Sequence, residues 1–372
     1  MAEPRPVEPN EIEDLAELIG TIFRLDDHYS REYMVSQLKR PLARRDALVV
    51  CDDGKPVSHI RTAYSTVSVY GCEFKVASIG CVGTVEAYRG RGYAGAILET
   101  SLRQMEKKGA KVLIVSGSRG LYRRAHCVQA GRTLTATVRP GDLGESPSGI
   151  SVRRVGPEDW PLLAPLQQAE SVRFARPLGF LSTRPFWWDC DFPELWLVER
   201  EGVPVAYVGM TRERRDDQGV RSRHMWEYAG ARAGLLAGLS AISRESGVQK
   251  IHLKVLGHDR ETEYLLGRRG VALKEGTLGG THRLIDLPGL MRKLRPYLRE
   301  RLESRDVRML SFDQAGDRCV FAYGEERLEC GIGEATALVL GGSAAPDVSG
   351  DLGRVLSRVL PVPFPTPGFD YI

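Results

Sequence analysis

Apolar residues Ile12, Leu15, Leu18, Ile19 and Ile22 recur at three- and four-residue steps, the spacing of a helix with one buried face. They predict a first helix over 8–21, capped by Asn10 after Pro9. A second helical stretch over 31–39 ends before Pro41, and the period then drops to two. Ala47 to Cys51 and Pro56 to Arg61 flank Asp53-Gly54, a hairpin signal, and two further strands run over 65–70 and 74–85 around Gly71. Helical spacing returns over 92–108 with Ala94, Ile97, Leu98, Leu102 and Met105, and stops at Gly109. Val112 to Val115 is a short apolar run that reads as a buried strand. The order describes a mixed α/β domain in which a central strand feeds a helix through a glycine-rich turn.

Residues 139–151, with two prolines and three glycines, read as a linker. A similar order then recurs more weakly: strands over 195–199, 203–210 and 224–229, a helix over 233–245, and a strand over 250–255. The interval from Arg89 to Tyr122 resembles that from Arg232 to Tyr264, each crossing one helix and one strand, which hints at an internal duplication. From about Leu287 the pattern is α+β: a helix over 290–302, strands over 307–312, 319–323 and 327–331, and a last helix over 351–359. Pro361, Pro363, Pro365 and Pro367 make the end extended.

The chain has 372 residues, enough for two or three domains at roughly 150 residues each. Lys and Arg total 52 against 48 Asp and Glu, and the signs are interspersed, which argues against a disordered chain and against a nucleic-acid binder with a basic stripe. The seven cysteines form no Cys-x-x-Cys pair, so neither a disulfide framework nor a metal site is expected. With no apolar signal segment near the N-terminus and no run of ~18 apolar residues, the expected location is the cytoplasm, away from membranes.

The segment from Val82 to Ala94, Val-Gly-Thr-Val-Glu-Ala-Tyr-Arg-Gly-Arg-Gly-Tyr-Ala, carries the sharpest chemical signal. Small residues between a strand and a helix start let several backbone N–H groups converge on one anion, and the helix dipole adds positive potential there. A pyrophosphate is the natural ligand; a plain strand-to-helix turn with solvated arginines is the bland alternative. No Gly-Lys-Ser/Thr is present, so this is not a P-loop. Gly90, Gly92 and Gly95 fit the letters of a dinucleotide fingerprint, yet Val115 runs into Ser116-Gly117-Ser118 where an acidic residue should end the next strand.

Arg89-x-x-Gly92-x-Ala94 after a strand resembles the cofactor-binding motif of the GCN5-related N-acetyltransferase (GNAT) superfamily. The wider layout resembles the enhanced intracellular survival (Eis-like) acetyltransferases. The resemblance implies tandem acetyltransferase domains, α/β in class, with the second one degenerate, and an α+β C-terminal domain like sterol carrier proteins. The expected boundaries are 1–140, 150–286 and 287–372. It further implies acetyl-CoA as acyl donor, held by Val82, Gly83, Thr84, Arg89, Gly90, Arg91, Gly92, Tyr93 and Ala94. Tyr122, in Ser116-Gly117-Ser118-Arg119-Gly120-Leu121-Tyr122, resembles that family's catalytic tyrosine, although Ala125-His126-Cys127-Val128 departs from its usual continuation. The terminal carboxylate of Ile372 is the implied general base.

The chemistry supports these roles in its own terms. An amine attacking a thioester needs a polarised carbonyl, a base for its proton and an acid for the leaving thiolate. Backbone N–H groups of Val82 to Thr84 suit the first task, and a tyrosine with an ordinary pKa of ~10 suits the last. Tyr122 would equally serve as a core tyrosine. A chain terminus more often frays than functions, but Phe364, Phe369 and Tyr371 are anchors a disordered tail would not need. Glu86 and His28 are weaker candidate bases, and Trp187-Trp188 suit a seam between domains or a pocket wall. The expected acceptor is a primary amine on a small molecule or a lysine side chain, and the family resemblance makes a homo-oligomer plausible. Two other functions stay open: a non-catalytic acyl-CoA sensor, and a lipid-binding protein acting through the C-terminal part.

Overall fold

The computed structural model describes residues 3–23, 32, 35–177, 179–180 and 194–370. Three sheets organise them. The first has the order Arg5–Pro6, Ala47–Asp52, Lys55–Val69, Cys72–Thr84, Val112–Val115, Thr281–Leu284, with Val172–Phe174 added beside Lys55–Val69. All neighbours are antiparallel except Cys72–Thr84 and Val112–Val115, which are parallel and joined by the helix Tyr93–Lys107. Ile97, Leu98 and Met105 of that helix cover Leu48, Ile60, Ala77 and Leu113 on one face. The helix Ile12–Phe23 covers Ala47 and Val49 on the other.

The first helix starts differently from the cap expected at Asn10. A single 3-10 turn, Pro9–Glu11, precedes it, and the backbone N–H of Glu8 donates to the Glu11 carboxylate at 2.8 Å, so the acidic side chain of the turn satisfies the orphan donor. Pro41, expected as a stop, opens the short helix Pro41–Arg45, where a missing N–H costs nothing. The two strands expected over 56–61 and 65–70 are one strand, because no turn residue separates them and both edges find partners.

The second sheet runs Lys274–Gly276, Thr133–Val138, Lys250–Leu256, Arg221–Gly230, Val203–Met210, Glu194–Arg200, Ile150–Arg154. It too has one parallel pair, Arg221–Gly230 with Lys250–Leu256, joined by the helix Arg232–Ser246. Two segments cross the boundaries drawn from the sequence. Thr133–Val138, inside 1–140, belongs to the second sheet. Thr281–Leu284, inside 150–286, closes the first by pairing with Val112–Val115. Val112–Val115 is buried on both faces and leaves no exposed ladder only if a strand lies on each side.

The C-terminal part packs the helices Leu287–Lys293, Arg295–Arg301 and Ser304–Met309 and the sheet Leu310–Ala315, Arg318–Tyr323, Glu326–Gly331 with Ile332–Leu340 and Gly350–Leu356. Its core is continuous with Phe74, Val76 and Ile114 of the first sheet. The helix expected over 290–302 is broken at Leu294, ahead of Pro296, as the missing N–H and ring of proline require. The six described cysteines, 51, 72, 81, 127, 319 and 330, are free thiols. Among the described residues no helix is long and apolar enough to cross a membrane.

Candidate active site

The two parallel strands of the first sheet part after the Ile79–Val115 pair, and beyond it Gly80 to Thr84 keeps a partner only on the Lys55–Val69 side. Its other backbone edge faces a cleft. A bulge sits there: Cys81 and Val82 together oppose Ile60, between the pairs His59–Gly83 and Arg61–Gly80, and Cys81 takes a left-handed φ of +52°. The buried His59 ring approaches the Cys81 carbonyl at 3.1 Å through Nδ1. Only the Nδ1–H tautomer donates to a carbonyl, and burial lowers the pKa of this imidazole to about 4, so the neutral ring braces the bulge.

The cleft opens into a groove of about 690 Å³ at the start of the helix Tyr93–Lys107. Of the residues expected from the sequence, Val82, Gly83, Thr84, Arg89, Gly90, Gly92, Tyr93 and Ala94 line it. Arg91 is not brought in; its guanidinium lies over the Tyr88 ring, 4.8 Å from the centroid. Gly90 and Gly92 have φ of +81° and +82°, conformations that L side chains rarely adopt. A Cβ at Gly90 or Gly95 would meet no protein atom within 4 Å, so the glycines open a cradle rather than filling a packed turn. With the first N–H groups of the helix aimed along its axis, this cradle fits a pyrophosphate. Ile22, Gly95, Arg119 and Arg124 complete the walls. The two arginines follow Ser118 in the sequence and add cations that a glycine motif does not announce.

Tyr122 lines the same groove from the short helix Gly120–Arg124 and is 7% exposed. Gly117 lies flat against its ring; a Cβ there would stand 3.0 Å from the ring carbon Cε2. Cys127, in the stretch Ala125-His126-Cys127-Val128, belongs to the same buried core as Tyr122. It is 3% exposed, and its N–H donates to the Tyr122 carbonyl at 2.9 Å. Glu86 is not brought into the groove: its carboxylate stands on the rim, 89% exposed, with Arg89 at 3.7 Å. His28, Trp187, Trp188 and Ile372 lie outside the described residues.

Although Ile372 is not described, the tail leading to it is. Asp370 is 6% exposed, accepts from Arg176 Nε at 2.8 Å, and borders a small cavity with Ser65, Ile79 and Ser116. This places the tail over the point where the two strands part. On the other side of Ser116 lies a chamber of about 850 Å³ between the tip of Val112–Val115, the tail at Thr366 to Gly368, and the outer face of the second sheet. That face carries Thr135, Thr137, His224, His252 and Lys254, which alternate with the core residues Leu134, Ala136, Met225, Leu253 and Val255. The strand expected over 250–255 is present as Lys250–Leu256, and the chamber beside it was not expected from the sequence. The signal lay in that alternation.

In the second sheet the turn into the helix Arg232–Ser246 borders a groove of about 760 Å³, with Glu170, Gly230 and Arg232 in its wall. Glu170 accepts from the Gly230 N–H at 2.9 Å and from both Arg232 Nη atoms at 2.6 Å, so the chain's own carboxylate takes up the N–H at this turn. Tyr264, the counterpart of Tyr122 by interval, is 63% exposed. The first sheet has an open glycine turn and an inward tyrosine; in the second a carboxylate is bound at the turn and the tyrosine is exposed.

Residues 3–128 match the acetyltransferase (GNAT) domain family. No curated protein sequence matches the chain. Its structure is similar to that of Eis1 from Mycobacterium abscessus, with a TM-score of 0.67 at 14% identity over 96% of both chains. It is similar to a probable N-acyltransferase from Enterococcus faecalis, with a TM-score of 0.67 at 15% identity over 97% of both chains. It is also similar to a GCN5-related N-acetyltransferase from Anabaena variabilis, with a TM-score of 0.64 at 14% identity over 91% of this chain and 90% of that one. The N-terminal third is thus matched by sequence to acetyltransferase (GNAT) domains, and the fold of nearly the whole chain is the one these three structures share.

Proposed function

We propose that the protein is an acetyl-CoA-dependent N-acetyltransferase that acts on a primary amine by direct attack on the thioester. The observation that carries this is one groove combining an unpaired strand edge, an open glycine turn at a helix start, and Tyr122. When bound, the thioester supplies the acyl group. Glycines 90 and 92 with the N–H groups of Tyr93 and Ala94 would hold its pyrophosphate, and the edge from Val82 to Thr84 would hold the pantetheine and polarise the carbonyl. The amine, seated in the chamber, forms the new C–N bond as the C–S bond breaks. Its proton goes to the Ile372 carboxylate, and the Tyr122 hydroxyl gives a proton to the departing sulfur. A carboxylate near pKa 4 is a weak base for an ammonium, so the amine must arrive partly neutral.

The architecture in this reading is a tandem of acetyltransferase units, the second one degenerate because Glu170 takes up the N–H at its turn, followed by a sterol carrier protein-like C-terminal domain. The test is a panel of primary amines, including small molecules and lysine peptides, with acetyl-CoA and detection of released thiol. Release with at least one amine supports the reading. Acetyl-CoA binding without release across the panel would make the chain an acyl-CoA sensor.

A further inference from the structure

The cavity that would seat the acceptor has a one-sided charge. The charge comes from Lys254 on its floor and Lys274 at its rim; the His224–His252 pair on the floor, whose rings stack with centroids 4.3 Å apart, is held neutral by burial and adds polar N–H groups. Among its described lining residues there is no Asp or Glu. Carboxylates next to its lining are already bound: Asp370 of the tail and Glu227 of the second sheet to Arg176, and Glu275, beside Lys274, to Arg132.

Lys254 is the telling residue. Its Nζ donates to the Leu278 carbonyl and has no carboxylate partner among the described residues, although burial lowers its pKa. Gly279 gives it room: a Cβ there would stand 3.3 Å from Nζ. An ammonium drawn out of water without a counterion is costly, and a ligand anion removes that cost. A further cation in the same cavity raises it. His252 is held beside it by Thr137, with 2.9 Å between Nδ1 and the hydroxyl oxygen, and can donate through Nε2.

We infer that this chamber selects acceptors carrying an anionic group, a carboxylate or a phosphate, at the end away from the reacting amine, with Lys254, His252 and Lys274 as its seat. The inference rests on the acetyl-transfer reading for the word acceptor, while the anion seat itself does not depend on turnover. The same field favours loss of the acceptor's proton, since a positive neighbour lowers the pKa of an ammonium, which eases the work of a weak carboxylate base.

Two measurements on the full chain test it. Hexanoate and hexylamine, equal in length and opposite in charge, are titrated by calorimetry and by the fluorescence of Trp226, which lines the chamber. Hexanoate is expected to bind about tenfold more tightly or better, with the preference reduced about tenfold in Lys254→Gln. Lys274→Gln, a change at an exposed position, is expected to reduce it less and guards against misfolding of the first variant. Equal binding, or a preference for hexylamine, overturns the inference. In the second measurement, 6-aminohexanoate and 1,6-diaminohexane are compared as acceptors by thiol release. A higher kcat/KM for the aminohexanoate supports the inference, and a preference for the diamine overturns it while leaving acetyl transfer intact. Preferential hexanoate binding with no turnover of any amine leaves the anion seat standing and defeats acetyl transfer instead.

Discussion

Arg176 and Asp370, 194 residues apart in the chain, form an ion pair of 2.8 Å with side chains only 3% and 5% exposed. Arg176 also grips both oxygens of Glu227, and Glu227 in turn accepts from the Tyr207 hydroxyl at 2.8 Å. The carboxylates hold the guanidinium firmly charged, raising its pKa against the burial that opposes it. A tail with four prolines is therefore anchored at Asp370 by a guanidinium that follows the strand Val172–Phe174 of the first sheet and is itself held by Glu227 of the second.

If the Ile372 carboxylate takes the amine proton, that anchor sets its position. Asp370→Ala is expected to lower kcat by about tenfold to a hundredfold, the usual consequence of an ångström-scale misplacement, while acetyl-CoA affinity holds. Thiol-release kinetics and calorimetry of acetyl-CoA check both halves. Arg176→Met leaves Glu227 and Asp370 facing each other in a buried site, so a loss of about 3 to 5 kcal/mol in urea denaturation is expected.

The tail predicts a second contrast. Residues appended after Ile372 move the carboxylate, whereas Ile372→Leu leaves it in place. Turnover should fall with the extension and change little with the substitution. Full activity with an intact extension would assign the base elsewhere.

Tyr122→Phe deletes a proton donor from a ring whose packing against Gly117 and within the buried core is kept. Turnover is expected to fall by roughly 10²-fold to 10⁴-fold with unchanged acetyl-CoA affinity. Unaltered turnover at every pH would reduce Tyr122 to packing.

Gly92→Val forces a β-branched residue to φ of +82° at the helix start. Strain of this kind costs about 1 to 3 kcal/mol, so acetyl-CoA should bind about tenfold to a hundredfold more weakly in a variant that stays folded. Equal affinity by calorimetry would remove the turn from the site.

Stability should fall in mild acid. Burial lowers the pKa of both His59 and His282 to about 4 in the folded chain, against 6.5 when exposed. The unfolded state therefore takes up protons that the folded state refuses as pH drops from about 6.5 to 4. Each histidine withdraws up to about 2 kcal/mol by pH 5, and nothing at pH 7.5. Urea denaturation at the two pH values measures the difference. His59→Asn, which keeps a donor for the Cys81 carbonyl, should be less stable at pH 7.5 but show a shallower loss.

The local parts of the site were legible in the sequence because they depend on neighbours in the chain. A strand followed by Gly90, Gly92 and a helical period defines a turn with positive φ and exposed N–H groups whatever surrounds it. The same holds for the recurrence of strand, helix and strand in the second sheet, and for Tyr122, a few residues beyond a buried strand. Element ends were less legible, since caps and proline positions such as Glu8 to Glu11 and Pro41 turn on contacts of single side chains.

Tertiary structure decided everything made from distant segments. Thr281–Leu284 has no more reason by composition to join the first sheet than the second; it does so because the doubly buried strand Val112–Val115 needs a partner on its open side. The chamber exists only where the face bearing His224, His252 and Lys254 meets the tip of that strand and the returning tail. Alternation in a strand tells which residues share a face, but not what stands opposite that face. Arg176 and Asp370 show the same limit, because charge pairing across 194 residues leaves no periodic trace in a sequence.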